Sequence, residues 1–447
     1  MAKVVLIDPP FEGSFSRPPL GTLTLAAYLK ARGHEVALLN IIDRDTDGQR
    51  LRREIESGAD VAGISSVIGP QLAGSLEAAR IVRDANPAIP IVWGGVHPTL
   101  APETTLRHDL CDAVCLGEGE LSLPALVEAH MRGQSFDHIP GVGFKRDGRQ
   151  VWTAKSPTLV DMDAVPDMPY ELVDITRYRL EPGSAFYGLT RDDILMSVET
   201  SRGCAYHCTY CVNAAKRERF RQRSPETVIR LLAPIVEELG VRSITINDDN
   251  FFVNKRRAEA ILRAIAAKDW DLEIFVAVRS DYLARQNDAD FELMKAAGIK
   301  MFGIGVESGS NRMLGELQKK EPIEATYEAV QRMRKHGFTA WVHFLYGFPG
   351  ETREDLIATY TAMRKVLSLN EHVQVNLNRL IPNPSTPSYR QCLELGWVPP
   401  ETIEGWANVC KAIQAARPVH MDAALEQWWS DNLSAVRWPT RNLPHIA

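Results

Sequence analysis

The hydrophobic pattern of residues 1–153 alternates short apolar runs with stretches whose apolar positions recur every three or four residues. Short β-branched runs predict strands, and spacings of three and four predict helices. Because strands that alternate with helices form parallel sheets with helices on both faces, we predict an α/β domain with a doubly wound, Rossmann-like parallel sheet. Its predicted strands are KVVLID (3–8), EVALLN (35–40), VAGISS (61–66), IVWGG (91–95) and DAVCLG (112–117).

A second alternation fills residues 194–390, after a proline-rich stretch at 154–193 that we interpret as a linker. Six successive strand–helix units predict a partial (βα)6 barrel, which presents functional side chains at the carboxyl ends of its strands. Residues 391–447 remain as a short C-terminal helical segment with several tryptophans, namely Trp397, Trp406, Trp428, Trp429 and Trp438. The predicted strands are ILMSVE (194–199), SITIND (243–248), EIFVAV (273–278), KMFGIGVE (300–307), TAWVHFLYG (339–347) and HVQVNLNRL (372–380).

Composition narrows the classes of function. The 447 residues carry a net charge of −6 and no long run of lysine and arginine, so a nucleic-acid partner is not expected. The start MAKVVLIDPP lacks the basic and apolar regions of a signal peptide, and no apolar run is long enough to span a membrane. We therefore expect a cytoplasmic protein without a membrane partner, in which clustered cysteines bind metal or do chemistry.

Three of the seven cysteines stand close together in the stretch SRGCAYHCTYC, directly after the first strand of the predicted barrel. Cys204, Cys208 and Cys211 supply three thiolates, whereas a 4Fe–4S cluster has four irons, so one iron would remain open. A zinc site is the alternative, with His207 inside the loop as a fourth ligand. Zinc spacings usually pair cysteines two by two across a longer gap, and the sequence therefore favours the cluster.

This motif, with the aromatic Tyr210 before its last cysteine, resembles that of the radical SAM superfamily. The resemblance implies that S-adenosylmethionine chelates the open iron and that Tyr210 belongs to the cofactor site. One electron would then cleave the sulfonium bond and leave a 5'-deoxyadenosyl radical. An external electron donor, such as a flavodoxin, a ferredoxin or a dedicated reductase, is a further implication.

Other segments match the superfamily in order along residues 190–390. In NDDNFF (247–252), Asp248 or Asp249 would accept from the methionine ammonium, and one of the two is expected to cap the next helix instead. Arg279 would pair with the methionine carboxylate or, alternatively, form a surface ion pair. In GIGVESGS (303–310), Glu307 and Ser308 would face the ribose and the sulfonium.

Two later segments complete the match. FLYGFPGET (344–352), which contains Tyr346, resembles the segment whose backbone runs past the adenine. PNPSTPSY (382–389) resembles the end of the core in this group, with Ser385 in place of the usual glycine. That replacement raises the question of whether the local turn is kept.

The first domain contains the segments PPLG (18–21), GGVHPT (94–99) and GEGE (117–120). With these segments it resembles the cobalamin-binding domain that precedes many radical SAM enzymes. The resemblance implies that Ser65, Gly94, Gly95 and Gly117 contact cobalamin. The lower-axial DxHxxG signature of another cobalamin class is absent, and His97 is interpreted as structural. Cobalamin is therefore expected to bind base-off without a histidine ligand. Gly69 and Pro70 stand where the family more often has other residues, which leaves open a domain that has lost cobalamin.

Both resemblances together imply a cobalamin-dependent radical SAM enzyme that methylates carbon in a small-molecule substrate. The alternative is a radical SAM dehydratase or lyase acting on a sugar or aminoglycoside-like diol, with a cobalamin-free first domain. Glu307, Asp249 and Tyr346 are the candidate catalytic residues, and the alternative would also need one of them, or His343, as a general acid or base. A sensor without catalytic activity would leave the barrel motifs unexplained.

Overall fold

A computed structural model describes residues 1–9, 18–154, 159–179, 189, 194–216, 219–415 and 427. The chain forms two compact units, one of Met1–Tyr178 with Pro399–Ala412 and one of Arg179–Val398 with Ile413–Ala447. Trp428, Trp429, Trp438 and the linker residues 155–158, 180–188 and 190–193 lie outside the described residues.

The first unit is built on a seven-stranded sheet of order β2-β1-β3-β4-β5-β6-β7. Neighbours from β2 to β5 are parallel, which confirms the doubly wound sheet, and all five predicted strands are present. The antiparallel hairpin β6–β7 extends the sheet beyond β5 and was not predicted. The strands are β1 (Lys3–Asp8), β2 (Glu35–Asn40), β3 (Val61–Ser65), β4 (Ile91–Gly94), β5 (Ala113–Cys115), β6 (Val142–Arg146) and β7 (Arg149–Trp152).

Helices cover this sheet because their apolar residues, such as Leu23, Leu29 and Leu126, pack on Val4, Leu6 and neighbouring strand residues in one buried core. The order 2-1-3-4-5 has its switch point between β1 and β3, and ligands of such sheets bind at the carboxyl ends of the strands. The helices are α1 (Leu20–Ala31), α2 (Arg44–Glu56), α3 (Gln71–Ala85), α4 (Val96–Leu100), α5 (Pro102–Arg107) and α6 (Gly119–Met131), followed by 3-10 turns at Tyr170–Leu172 and Ile175–Tyr178.

The second unit contains a six-stranded sheet of order β15-β14-β13-β12-β11-β8, in which every neighbouring pair is parallel. This is the arrangement of a partial (βα)6 barrel, as predicted. The strands are β8 (Leu195–Val198), β9 (Ser201–Arg202), β10 (Arg221–Gln222), β11 (Ser243–Ile246), β12 (Glu273–Val278), β13 (Ile299–Glu307), β14 (Thr339–Tyr346) and β15 (Val373–Arg379), of which β9 and β10 form a separate antiparallel pair.

The helices of this unit begin at clear sequence signals. Ser224 caps α8 and Pro225 is its first residue, as predicted, while Thr352 and Asp355 form a capping box at α14. The helices are α7 (Val212–Lys216), α8 (Pro225–Ala233) with a π turn at Pro234–Glu238, α9 (Lys255–Ala266), α10 (Ser280–Ala284), α11 (Asp288–Ala296), α12 (Asn311–Glu316), α13 (Ile323–His336), α14 (Arg353–Leu369), α15 (Pro387–Glu394), α16 (Ile403–Ala407) and α17 (Val409–Ala415).

The two faces of the second sheet differ in burial. Residues such as Val276, Ile304 and Val342 are fully buried under the helices. The alternate positions Phe275 and His343 are partly exposed, so their face lines open space. This inner face is where a barrel holds its ligands.

A short segment near the end of the chain, residues 399–412, belongs to the first unit. Its helix α16 packs on α3, with Ile403 and Trp406 buried. The His108 Nε2 atom lies 3.1 Å from a Glu404 carboxylate oxygen, and this contact joins the segment to the residues before β5. Among the helices that the structure describes, none is both long and apolar enough to cross a bilayer.

Candidate active site

The cysteine loop lies at the carboxyl end of β8 and leads into α7. Cys208 is buried and Cys204 and Cys211 are half-buried, and none of the three is in a disulfide. The Sγ atom of Cys204 accepts from the Tyr206 N–H, and that of Cys211 accepts from the Asn213 N–H. The loop therefore directs backbone donors at its thiols, as expected where thiolates carry negative charge.

Burial, together with the neighbouring Asp249, Cys208 and Cys204, raises the pKa of Cys211 to about 11. Burial also raises the pKa of Cys204. Because the thiols of Cys204 and Cys211 resist ionisation, a bound cation is needed to hold them as thiolates, which is the chemistry of a metal cluster. Across the described ranges, no group of three or more His, Cys, Asp or Glu side chains has the spacing that holds a single metal ion.

Asp248 hydrogen-bonds to the chain segment that leads into this loop. Its carboxylate accepts from the backbone N–H groups of Thr200 and Ser201 at 2.6 and 2.9 Å, and from their hydroxyls at 2.5 and 2.6 Å. Burial raises the pKa of Asp248, although these four hydrogen bonds lower it. Asp248 is thus occupied by its own chain, whereas the next residue, Asp249, is exposed and lies close enough to Cys204 and Cys211 to affect their pKa values.

The alternative role of these two aspartates as helix caps is wrong, because the Asn254 side chain caps α9 by accepting from the Arg257 N–H. Sequence reasoning placed both carboxylates at the right edge of the sheet. It did not distinguish them, because the bonds of Asp248 depend on a loop 48 residues earlier in the chain.

Arg279, which follows β12, is only 6% exposed. Its Nη2 atom lies 3.1 Å from the Glu321 carboxylate and donates to the Lys319 carbonyl at 2.9 Å, while Nε donates to Asp281 at 3.1 Å. The guanidinium carbon lies 3.9 Å from the centre of the Tyr206 ring. The alternative of a surface ion pair is therefore wrong: Arg279 forms a buried pair and stacks on the cysteine loop.

Glu307 ends β13 with φ of 72°, a left-handed conformation that returns its side chain toward its own strand. A Cβ at Gly305 would lie 2.5 Å from the Glu307 Oε1 atom, so any larger residue at this position would displace the carboxylate. The Lys319 Nζ atom lies 3.5 Å from the same oxygen, and the Tyr210 hydroxyl bonds to the Glu307 carboxylate. Tyr210 thereby joins the cysteine loop to the end of β13.

Ser308 is fully buried, and its hydroxyl lies 3.1 Å from that of Thr359 on α14. It also accepts from the Ser310 N–H at 3.2 Å. These contacts hold the turn after β13 against α14. Ser308 therefore stabilises the backbone at the carboxyl end of β13.

The segment after β14 forms a tight turn. Gly347 has φ of 86° and donates its N–H to Glu351 at 2.6 Å, and Phe348 is fully buried with its ring 5.6 Å from that of Tyr210. Burial raises the pKa of Glu351 to about 8. Tyr346, the last residue of β14, is partly exposed beside this turn.

The turn around Ser385 is kept, with Ser385 itself in the left-handed conformation at φ of 68°. The Thr386 side chain accepts from the Tyr389 N–H and begins α15, and the Ser388 N–H donates to the Thr209 carbonyl at 3.0 Å. The question raised by this serine is thus answered: the segment closes on the cysteine loop without glycine.

His343 and Asn376 are neighbours in register on the inner face, with Asn376 Nδ2 and His343 Nδ1 2.7 Å apart. Asn376 is 1% exposed and its Oδ1 atom has no hydrogen-bond partner among the described residues. Burial lowers the pKa of His343 to about 4, so this ring is neutral near pH 7. In either amide orientation the pair keeps two donors and at least one acceptor beyond the hydrogen bond between its members.

In the first unit, the residues predicted for cobalamin share the carboxyl edge of β3, β4 and β5. Ser65 pairs with Gly94 across two strand ends, and a Cβ at Gly94 would meet nothing within 4 Å. Gly95 has φ of 98°, and a Cβ there would lie 2.6 Å from the Ser66 carbonyl oxygen. The Gly117 N–H donates to the Thr99 hydroxyl at 2.9 Å.

This edge also holds buried polar atoms without partners. The Ser66 hydroxyl and both ring nitrogens of His97 form no hydrogen bond within the part of the chain that the structure describes. Burial lowers the pKa of His97 to about 4, and its ring centre lies 6.1 Å from that of Trp406. An open glycine cradle beside unsatisfied polar atoms fits a large polar ligand such as cobalamin.

Comparison with known proteins gives two family matches. The radical SAM superfamily matches residues 198–363, and the B12 binding domain matches residues 14–127. An uncharacterised methyltransferase of Pyrococcus horikoshii is 30% identical over 81% of this chain and 78% of its own length. The anaerobic magnesium-protoporphyrin IX monomethyl ester cyclase of Synechocystis is 27% identical over 79% of this chain and 71% of its own length.

Among solved structures, the radical S-adenosylmethionine methyltransferase TsrM from Kitasatospora setae, with cobalamin and a 4Fe–4S cluster bound, has a similar fold. Its TM-score is 0.71 at 21% identity, over 88% of this chain and 75% of that chain. The fold predicted for both units is thereby confirmed.

Proposed function

Because the chain belongs to the radical SAM enzymes that have an N-terminal cobalamin-binding domain, we propose that it transfers a methyl group to carbon in a small-molecule substrate. Its cofactors are a 4Fe–4S cluster, S-adenosylmethionine and cobalamin. When bound, the cluster supplies an electron for cleavage of S-adenosylmethionine, and cobalamin supplies the methyl group. The observation that supports the proposal is the presence of two sites in one chain. One is the loop that carries three free cysteines, and the other is the carboxyl edge of β3 to β5, where Gly94 leaves open space beside buried polar atoms without partners among the described residues.

We assign the cluster to Cys204, Cys208 and Cys211, and the methionine ammonium to Asp249. Asp249 is exposed at the carboxyl end of β11, and it lies close enough to the cysteine loop to raise the pKa of Cys211. A carboxylate in that position accepts from an ammonium and orients the methionine part of the cofactor at the cysteines. Tyr210 and Glu307 would bound the same site, since they join the loop to the end of β13.

We assign cobalamin to the edge formed by Ser65, Gly94, Gly95 and Gly117. Gly94 leaves room for the ligand, while Gly95 allows the chain to pass close to the β3 end. We assign His97 a structural role and not that of a cobalt ligand, because its side chain is fully buried. A domain that has lost cobalamin, as the dehydratase or lyase alternative requires, is not favoured by the B12 binding match.

The inner face of the second sheet suggests the chemistry of the substrate. His343 is neutral near pH 7, and Asn376 offers a buried amide oxygen without a partner among the described residues. A charged group buried against this pair would lose hydration without gaining a counter-charge from it. The pair therefore favours an uncharged polar group, such as an amide or a hydroxyl, on the part of the substrate that enters the barrel.

Asp249→Asn is expected to weaken S-adenosylmethionine binding by roughly 10-fold to 100-fold, because a charge-assisted hydrogen bond becomes a neutral one. Equilibrium dialysis with the reconstituted anaerobic protein measures this affinity. Glu238→Gln is the matched control, since Glu238 is an exposed carboxylate in the outer helical layer. Equal affinity in wild type and Asp249→Asn would remove Asp249 from the cofactor site.

The reaction class is tested by product stoichiometry. The reconstituted enzyme is incubated with reductant, CD3-labelled S-adenosylmethionine and a small-molecule extract of its native host. Methyl transfer is expected to give equimolar 5'-deoxyadenosine and S-adenosylhomocysteine, with a product that contains the CD3 group. Formation of 5'-deoxyadenosine with an unlabelled, altered product and no S-adenosylhomocysteine would indicate a dehydration, lyase or cyclisation reaction and overturn methyl transfer.

A further inference from the structure

Lys319 is a buried lysine to which neither the cluster nor the substrate assignment gives a role. It is 6% exposed, whereas the next residue, Lys320, is exposed. Gln318 and Lys320 on either side both have left-handed backbone conformations, with φ of 52° and 55°. Such a turn is strained for residues with side chains, and it points one lysine inward and leaves the other in solvent.

The ammonium of Lys319 is held at the end of β13. Its Nζ atom donates to the Gly305 carbonyl at 2.6 Å and lies 3.5 Å from the Glu307 carboxylate. Burial disfavours the charged lysine, but Glu307 and Glu321 more than offset this and raise the pKa of Lys319. The Glu307 side chain therefore lies between the Lys319 ammonium and the Tyr210 hydroxyl, which hydrogen-bonds to it, so Lys319 fixes the position of the partner of Tyr210.

The backbone of the same turn contacts the middle of the cysteine loop. The Lys319 carbonyl accepts from Arg279, whose guanidinium stacks on Tyr206 between the first two cysteines. Two residues earlier, the Leu317 carbonyl accepts from the Thr209 N–H at 3.0 Å. The turn at 317–321 therefore contacts Thr209 directly, and it is linked to Tyr206 through Arg279 and to Tyr210 through Glu307. These three residues lie on both sides of Cys208.

We propose that Lys319 is a positioning residue that fixes the cysteine loop in the geometry that the cluster needs. It acts through Glu307 on Tyr210, next to Cys211, and through its carbonyl and Arg279 on Tyr206. This inference rests on the assignment of the three cysteines to the cluster and is independent of the reaction that follows. It explains why a lysine is buried in a turn with two left-handed residues, a placement that packing alone does not favour.

The test compares Lys319→Met with Lys320→Met, a matched pair of substitutions at a buried and an exposed lysine. Both proteins are reconstituted with iron and sulfide and challenged with a ferrous chelator, and iron release and the electron paramagnetic resonance spectrum are recorded. Lys319→Met is expected to lose iron about tenfold faster than wild type, as when outer partners of metal ligands are removed. It should also show a 3Fe–4S signal and a reduced spectral response to S-adenosylmethionine, while Lys320→Met matches wild type.

Tyr210→Phe provides a second route if Lys319→Met does not fold. This change keeps the ring against Phe348 and removes only the hydroxyl that bonds to Glu307. It is expected to show the same change in iron release and in spectrum, with circular dichroism and thermal unfolding of the whole protein as the folding control. Wild-type iron release and spectra in folded Lys319→Met or Tyr210→Phe would overturn the inference. A wild-type protein that takes up no cluster would instead refute the cysteine assignment.

Discussion

Replacement of Cys204, Cys208 and Cys211 together by alanine is expected to lower bound iron from about four atoms per chain to below about 0.5, and to abolish the iron–sulfur absorption. Cleavage of S-adenosylmethionine to 5'-deoxyadenosine should disappear with it. The three thiols lie on one loop at the carboxyl end of β8, and without them the neighbouring hydroxyl and amide groups offer no thiolate donor. Iron analysis after anaerobic reconstitution and desalting measures the first effect, and chromatography of the reaction mixture measures the second.

Cys410→Ala is the control for this experiment, because it removes a half-buried thiol that lies outside the cysteine loop. Its iron content should equal that of wild type. A triple variant that keeps both its iron and its cleavage activity would contradict the assignment of the site as a whole. Loss of iron with full loss of circular dichroism would require the three single variants instead.

Gly94→Val is expected to abolish cobalamin binding while the protein without cobalamin keeps its stability. A Cβ at Gly94 meets nothing within 4 Å, so the side chain enters open space at the strand end and not the core. Valine suits an extended strand better than glycine, and the free energy of unfolding should stay equal or rise by about 0.5 kcal/mol. The same side chain would fill the cradle that the corrin or its nucleotide tail needs, and cobalt per chain should fall from about one to below about 0.1.

The control is Gly315→Ala in the second unit, another glycine with open space around it and no left-handed φ. Cobalt analysis, the corrin absorption spectrum and thermal unfolding of all three proteins complete the comparison. Normal cobalamin uptake by Gly94→Val would move the cobalamin site away from this edge. Loss of uptake together with a large fall in the unfolding temperature would leave the effect to misfolding, and Gly94→Ala would then be used.

Much of the fold was predictable because the strands are short, apolar and β-branched and alternate with helices along the chain. The strand EIFVAV occupies Glu273–Val278 as predicted, and SITIND ends two residues early, at Ile246, where the polar residues begin. The hairpin Val142–Arg146 and Arg149–Trp152 was missed because its pairing to β5 is antiparallel and its residues are partly charged. Edge strands of this kind lack the apolar run that marks a buried parallel strand.

The site was predictable only where residue spacing dictates chemistry, as for the three cysteines. The roles of neighbouring charges depend on partners far away in sequence. Asp248 and Asp249 are equivalent in the sequence, yet only Asp248 receives four hydrogen bonds from Thr200 and Ser201. Lys319 and Lys320 are likewise equivalent until the turn buries one of them. Burial and long-range hydrogen bonds are properties of the folded chain, and a local pattern does not encode them.

The membership of residues 399–412 in the first unit makes that unit discontinuous along the gene. A single recombination point between the two units would leave the first one without α16, and therefore without the Trp406 ring beside His97 and the contact of Glu404 with His108. Transfer of the complete first unit of this chain to another protein would therefore need both of its segments. Such a constraint ties the inheritance of the beginning of the chain to that of its end.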